Sequence, residues 1–311
     1  MYESNYLIGR LRDASVGRDD HVFAQLPDGG TVTFGALFAG AERMASALAS
    51  CGVLPGDRVA VQIPKSIEAI MLYLGVVRAG GVFLPLNTAY TASEVAYFLE
   101  DAQPRVFVCH PDDGAAYREM TNSIGAQLET MGVYSDPDTF AGTLLKAGLD
   151  APKAFGSVPR NADDLAAILY TSGTTGRSKG AMLSHQNLLS NSQALADLWE
   201  FSSDDVLIHA LPIFHTHGLF VAINVTLTAG SSLIFMTGFD TNAIMKAMAK
   251  ATVLMGVPTF YVRLLGHPDL SADSVKNMRL FVSGSAPLLS ETHVQWSEKT
   301  GTAILERYGM T

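Results

Sequence analysis

The stretch YTSGTTGRSKG, residues 170–180, gathers hydroxyls, glycines and a cation at close spacing. Thr171, Ser172, Thr174 and Thr175 offer hydroxyl donors, Gly173 and Gly176 allow a turn of inward-facing N–H groups, and Lys179 adds positive charge. Such a concavity holds an anion, and phosphate is the leading ligand on that chemistry alone. The spacing departs from the Walker A loop, G-x-x-x-x-G-K-[ST]. Ser178 stands where the second glycine belongs, and Gly180 stands where a magnesium-binding hydroxyl belongs. A second chemical pair, His215 and His217, lies in ALPIFHTHGL (210–219) with no carboxylate or cysteine beside it. That set is too poor in ligands for a zinc site.

The elements that must position these residues read as alternating strands and helices. Thr33 can cap a helix with Leu37, Phe38, Ala41, Met44 and Leu48 on one face and Gly52 beyond its end. The spans 57–63, 82–87 and 105–110 read as strands, with helices at 66–80, capped by Ser66, and 91–102, where Thr91 and Glu94 make a capping box. After the loop, strands are expected at 205–211, 231–236, 252–258, 279–284 and 302–308. Helices are expected at 184–199, 217–227, 240–251, 259–266 and 290–301. The strands are apolar runs rather than alternations, which suits parallel sheets covered on both faces. The expected fold is therefore α/β, two side-by-side α/β sandwich subdomains, one over 53–185 and one over 20–52 plus 186–311. The stretch from about Asp112 to Asp163, with scattered Gly, Pro and Asp, reads as a variable excursion before the loop.

At 311 residues, with 48% hydrophobic and 16% charged residues, the chain describes a well-buried globular enzyme. Twenty-one basic against 30 acidic residues, with no basic stretch interleaved with aromatics, make nucleic acid an unfitting partner. Cys51 and Cys109 are too few for a disulfide framework, and the N-terminus has no signal-peptide core, so a cytoplasmic location is expected. The uncharged run from Gly218 to Gly238 is interrupted by Gly230 and carries Asn224, Thr226, Thr228, Ser231 and Ser232. It reads as a buried helix, a turn and a buried strand rather than a membrane span.

These motifs carry a resemblance. YTSGTTGRSKG resembles the phosphate-binding signature of the adenylate-forming superfamily, which includes acyl-CoA synthetases, luciferase and adenylation domains. ALPIFHTHGL is similar to its substrate-pocket histidine motif, VSGSAPL (282–288) to its adenine loop, and ERYGMT (306–311) to the motif that ends its ATP site. Within the superfamily, PIFHTHGLF, LMGVPTFYVRLL and LFVSGSAPLL most resemble malonyl-CoA synthetases.

The resemblance implies an ATP-dependent acid–CoA ligase using ATP, Mg2+ and CoA. It assigns Thr171, Ser172, Gly173, Thr174, Thr175, Gly176 and Lys179 to the phosphates, and Tyr308, with Gly309 and Met310, to the adenine side. Gly284, Ser285, Ala286 and Pro287 would line the adenine and acid pocket, and Thr311 would reach the α-phosphate. His215 would form the acid-pocket wall, with the role of His217 less defined. Lys179, His215 and Thr311 are the expected catalytic residues. The magnesium glutamate would follow Thr311, so no metal ligand is assigned. The barrel-like subdomain and the small C-terminal domain, covalent or as a separate chain, would also lie beyond. The 311 residues are thus expected to be the ATP- and acid-binding N-terminal part of a longer synthetase, unable alone to make the thioester.

For the acid, Arg263 on the otherwise apolar GVPTFYVRLL suits either a buried carboxylate partner or a solvent-facing position over the helix. The resemblance to malonyl-CoA synthetases implies the former, with Ser285 adding a hydroxyl, and so malonate or methylmalonate. Another acyl- or aryl-CoA ligase, a carrier-loading adenylation domain and an inert nucleotide-binding module remain open alternatives.

Overall fold

The computed structural model describes residues 4–132, 142–150, 154–171 and 177–309. Helix α1 covers Tyr6–Asp13, and strands β1 (Val22–Gln25) and β2 (Thr31–Thr33) lead into α2 (Phe34–Ser50). β3 (Arg58–Gln62), α3 (Ile67–Arg78), β4 (Val82–Pro85), α4 (Ala92–Ala102) and β5 (Val106–Cys109) then alternate. α5 (Gly114–Ser123), β6 (Gln127–Thr130) and α6 (Thr143–Asp150) precede the strands β7 (Leu165–Thr171) and β8 (Lys179–Ser184). The rest comprises α7 (His185–Leu198), β9 (Val206–His209), a π-helical turn (His217–Ile223), α8 (Asn224–Ala229), β10 (Ser232–Phe235) and α9 (Thr241–Ala247). β11 (Val253–Gly256), α10 (Pro258–Leu265), β12 (Leu280–Gly284), α11 (Ser290–Thr300) and β13 (Ile304–Arg307) complete it.

The chain divides into two compact units, Met1–Asp13 with Gly35–Ser190, and Ala14–Phe34 with Asn191–Thr311. In the first unit a six-stranded sheet runs β6-β5-β3-β4-β7-β8. Its pairs are parallel except β7 with β8, which are antiparallel. Val59, Ala60, Val82, Leu84 and the whole of β5 are buried, as continuous apolar strands between two helical layers should be. Ser66 caps α3 by accepting from the Ala69 N–H at 3.1 Å, and the capping box at Thr91 and Glu94 forms on α4.

The boundary expected between 52 and 53 falls elsewhere. Helix α2 packs with the first unit because it meets α3 at backbone contact: a Cβ on Gly75 would stand 2.5 Å from the Met44 Cβ and 2.9 Å from the Ala41 carbonyl. Arg78, buried on α3, pairs with Glu42 of α2 at 3.2 Å. Within the 112–163 excursion lie α5, β6 and α6, and β6 extends the sheet beside β5. β6 reads QLET, with Glu129 its one buried position, so no apolar run marks it.

The second unit holds a seven-stranded sheet ordered β13-β12-β11-β9-β10-β1-β2, parallel but for the β1–β2 edge. The apolar run 218–238 resolves as expected into helix, turn and strand, with Gly230 closing α8 at φ +66°. No helix among the described residues is long and apolar enough to cross a membrane.

Candidate functional site

In the first unit the loop of hydroxyls and glycines hangs from an antiparallel stem. β7 and β8 pair Thr171 with Lys179 and Tyr170 with Gly180. The Thr171 hydroxyl donates to the Lys179 carbonyl at 3.4 Å, and the Lys179 side chain is exposed. Gly180 permits the close pairing, since a Cβ there would stand 2.9 Å from Ile168 Cγ2. Ser172, Gly173, Thr174, Thr175 and Gly176 lie outside the described residues, as do Met310 and Thr311.

In the second unit the candidate residues collect at one end of the sheet. β9, β11, β12 and β13 run parallel, so their carboxyl ends share a side. His215 and His217 follow β9, Arg263 rides α10 after β11, Gly284–Pro287 end and follow β12, and Tyr308 follows β13. Open α/β sheets bind ligands outside the carboxyl ends of their strands. Ser285, Ala286, Pro287 and Gly309 are exposed there, and Tyr308 is 85% exposed, a free aromatic face suited to stacking.

The two histidines differ in burial. His215 is exposed, its ring edge-on to Phe214 with centroids 4.4 Å apart. His217 is buried, and its Nδ1 lies 3.4 Å from the Ser285 hydroxyl. Its Nε2 has no hydrogen-bond partner among the described residues. Burial, reinforced by the Arg307 charge, pushes its pKa down to about 4, so the ring is neutral near pH 7. Gly284 makes room for this contact: a Cβ there would stand 3.1 Å from His217 Cε1. Ser285 itself adopts φ +70°, a left-handed conformation that costs a non-glycine residue about 1–2 kcal/mol.

The local backbone explains the placement. Val221 N–H bonds the Thr216 carbonyl five residues back at 2.9 Å, a π-helical turn of the kind often found at functional sites. Nothing in the apolar pattern of HGLFVAI distinguishes it from an α-helix. Sequence reasoning also missed Arg307, a half-buried guanidinium whose pKa burial lowers, within 3.4 Å of a Cβ placed on Gly309. Its signal was a lone arginine at the end of a core-adjacent strand.

Of the two positions open to it, Arg263 takes the exposed one, with its guanidinium carbon 5.4 Å from the centre of the Phe239 ring. Phe239 in turn packs tilted against Phe260, centroids 4.3 Å apart. The helix has one exposed flank, where Val262 is 55% accessible beside Arg263. Among the described residues no three His, Cys, Asp or Glu side chains group to hold a metal ion.

The two parallel-dominated α/β sheets have the fold of the N-terminal domain of adenylate-forming proteins. The chain belongs to the AMP-binding enzyme family, which it matches over residues 11–311. It is 54% identical to MatB from Rhodopseudomonas palustris, whose crystal structure superposes with a TM-score of 0.93 over 99% of this chain and 60% of that one. It is 32% identical to the malonate–CoA ligase of Arabidopsis thaliana over 84% of this chain and 46% of that protein. A long-chain-fatty-acid–CoA ligase of Bacillus subtilis is 31% identical over 91% of this chain and 56% of its own length. The chain thus spans about half the length of these curated relatives.

Proposed function

We propose that this chain is the ATP- and acid-binding part of an acid–CoA ligase whose substrate is a small dicarboxylate, malonate or methylmalonate. The observation that carries the reading is the 54% identity, across 99% of the chain, to MatB, which has also been solved with ATP bound. The malonate–CoA ligase of Arabidopsis supports the same acid.

In the proposed reaction a carboxylate oxygen bonds the α-phosphorus of ATP as the bond to the bridging oxygen breaks and pyrophosphate leaves. The CoA thiolate then attacks the acyl carbon and AMP departs. Lys179, with the hydroxyls and N–H groups of 171–176, is assigned to the charge on the departing phosphates. Thr311 is assigned to the α-phosphate, and Mg2+ enters with the nucleotide. Tyr308 is assigned to adenine, beside Gly284, Ser285, Ala286 and Pro287. His215 and the neutral His217 are assigned to the acid side.

Arg263 is the proposed selector. Activating one carboxylate of malonate leaves the other charged, and a guanidinium pairs with it by two hydrogen bonds. Its exposure leaves it accessible to a small ligand. The test uses the full-length enzyme carrying Arg263→Met. Malonate turnover should fall about tenfold or more while butyrate is spared. Equal losses would return Arg263 to a structural role. The fatty-acid ligase likeness favours one further reading, a longer acid, and butyrate preferred over malonate by the unaltered enzyme would establish it.

A further inference from the structure

We propose that Tyr97 is a positioning residue for Lys179, acting from α4 on the stem of the loop; the inference rests on reading that stem as a phosphate-holding site. Tyr97 and Asp101 lie four residues apart and therefore share one face of α4. That face grips both strands of the stem. Tyr97 Oη–H donates to the Ser178 carbonyl at 2.7 Å, and Tyr170 Oη–H donates to the Asp101 carboxylate. Burial, and then the Asp101 bond, raise the Tyr170 pKa, so the phenol stays a donor.

The rings close the same contact. Phe98 lies 4.6 Å from Tyr170 between centroids, and Tyr97 lies 5.4 Å from Phe98 and 6.3 Å from Tyr170. The Arg177 guanidinium carbon sits 5.6 Å from the centre of the Tyr97 ring. One side chain thus holds two consecutive residues immediately before Lys179, Arg177 by its face and Ser178 by its hydroxyl. The helix that carries it is itself held at its start by the Thr91–Glu94 capping box.

Peptide planarity turns this into a statement about Lys179. The Ser178 carbonyl and the Lys179 N–H belong to one rigid trans unit and point to opposite sides of the chain. Fixing the carbonyl toward Tyr97 fixes the direction of that N–H and the point from which the lysine side chain departs. The Thr171 hydroxyl on the Lys179 carbonyl fixes the next peptide. An exposed lysine whose backbone is held on both sides loses less freedom when it meets an anion than one on an unanchored loop.

Calorimetric titration of the chain with Mg-ATP and with AMP tests the inference, using Tyr97→Phe, Tyr97→Leu, Lys179→Ala and the Tyr97→Phe/Lys179→Ala pair. Tyr97→Phe keeps the ring over which Arg177 lies and removes one hydrogen bond, so ATP should bind about three- to tenfold more weakly while AMP changes by less than about twofold. Tyr97→Leu, which loses both grips, should weaken ATP further. In the Lys179→Ala background Tyr97→Phe should cost nothing more, because its effect runs through the lysine. Equal losses for ATP and AMP, or an undiminished Tyr97→Phe effect without Lys179, would reduce Tyr97 to a packing residue and overturn the inference. ATP binding that needs Lys179 but ignores Tyr97→Phe overturns this inference alone. An unaltered chain that binds no ATP overturns the nucleotide reading as well.

Discussion

His185 and His217 are alike in burial and in the direction of their titration, yet they stand in different surroundings. Both are buried, and burial first of all pushes each pKa down to about 4. In both, Nε2 has no hydrogen-bond partner among the described residues. His185 opens α7 in the first unit, donates its N–H to the Asp164 carbonyl at 3.0 Å, and accepts the Leu7 N–H on Nδ1 at 3.3 Å. It ties α1 to the core. His217 lies in a π-helical turn against Gly284 and the strained Ser285. A perturbed histidine therefore does not by itself mark a site. What separates the two is the company of backbone strain, glycine clearance and exposed aromatic surface at the carboxyl end of a parallel sheet.

The sharpest way to break the His217 region is Gly218→Ala. The added Cβ would stand 2.0 Å from the Pro212 carbonyl oxygen, a backbone contact that no side-chain rotation relieves. The His209 Nε2–H bond to the Gly218 carbonyl, at 2.7 Å, resists any retreat. A loss of at least about 4 kcal/mol is expected by denaturant unfolding, beyond ordinary overpacking. A normal midpoint would show that the turn is looser than described.

Acid treats the two regions alike until ligand is added. Each histidine is protonated more readily in the unfolded chain, so its stabilising share is complete above about pH 6.5. That share declines as pH falls toward about 4, by about 3 kcal/mol each. Thermal unfolding followed from pH 7 to pH 4.5 should show the decline. Ring titrations by NMR then sharpen the comparison: saturating Mg-ATP should move the His217 titration and leave that of His185 in place. Identical responses from both rings would remove the distinction.

Lys179→Ala addresses the proposed phosphate loop of the first unit. Losing a charge-assisted contact to phosphate should cost about 1.5–3 kcal/mol of ATP affinity, while the pH dependence of His217 stays as it was. Calorimetry that finds ATP affinity intact would detach the loop from the site. The smallest effect belongs to Ser285→Gly. Relief of the left-handed backbone should outweigh the added chain freedom and raise stability by about 0.5–1 kcal/mol, whereas Ser285→Ala keeps the strain and loses the hydroxyl near His217. If Ser285→Gly lowers the melting temperature, the hydroxyl contributes more than the strain removes.

Much of this was readable along the chain. The strands β3, β4, β5 and β9–β12 are largely apolar runs, and the helices between them carry their caps in the residues themselves, as Ser66 and the Thr91–Glu94 pair show. Local pattern suffices where an element is buried on both faces, because every position then reports the core. It fails at two sheet edges of the first unit, β6 and β8. β6 and β8 are half-polar, and their strand character comes from the neighbour they pair with, β5 in one case and β7 in the other.

The site divides in the same way. Hydroxyls, glycines and a lysine in eleven residues state a phosphate chemistry without any fold, because the loop is contiguous. Which histidine lies against Ser285, whether Arg263 faces the core or the solvent, and that Tyr97 holds Ser178 depend on contacts between residues far apart in the chain. Residue type and spacing determine what a segment can bond to. Only tertiary packing decides which bond is made, since burial and clearance are set by neighbours that local sequence does not contain.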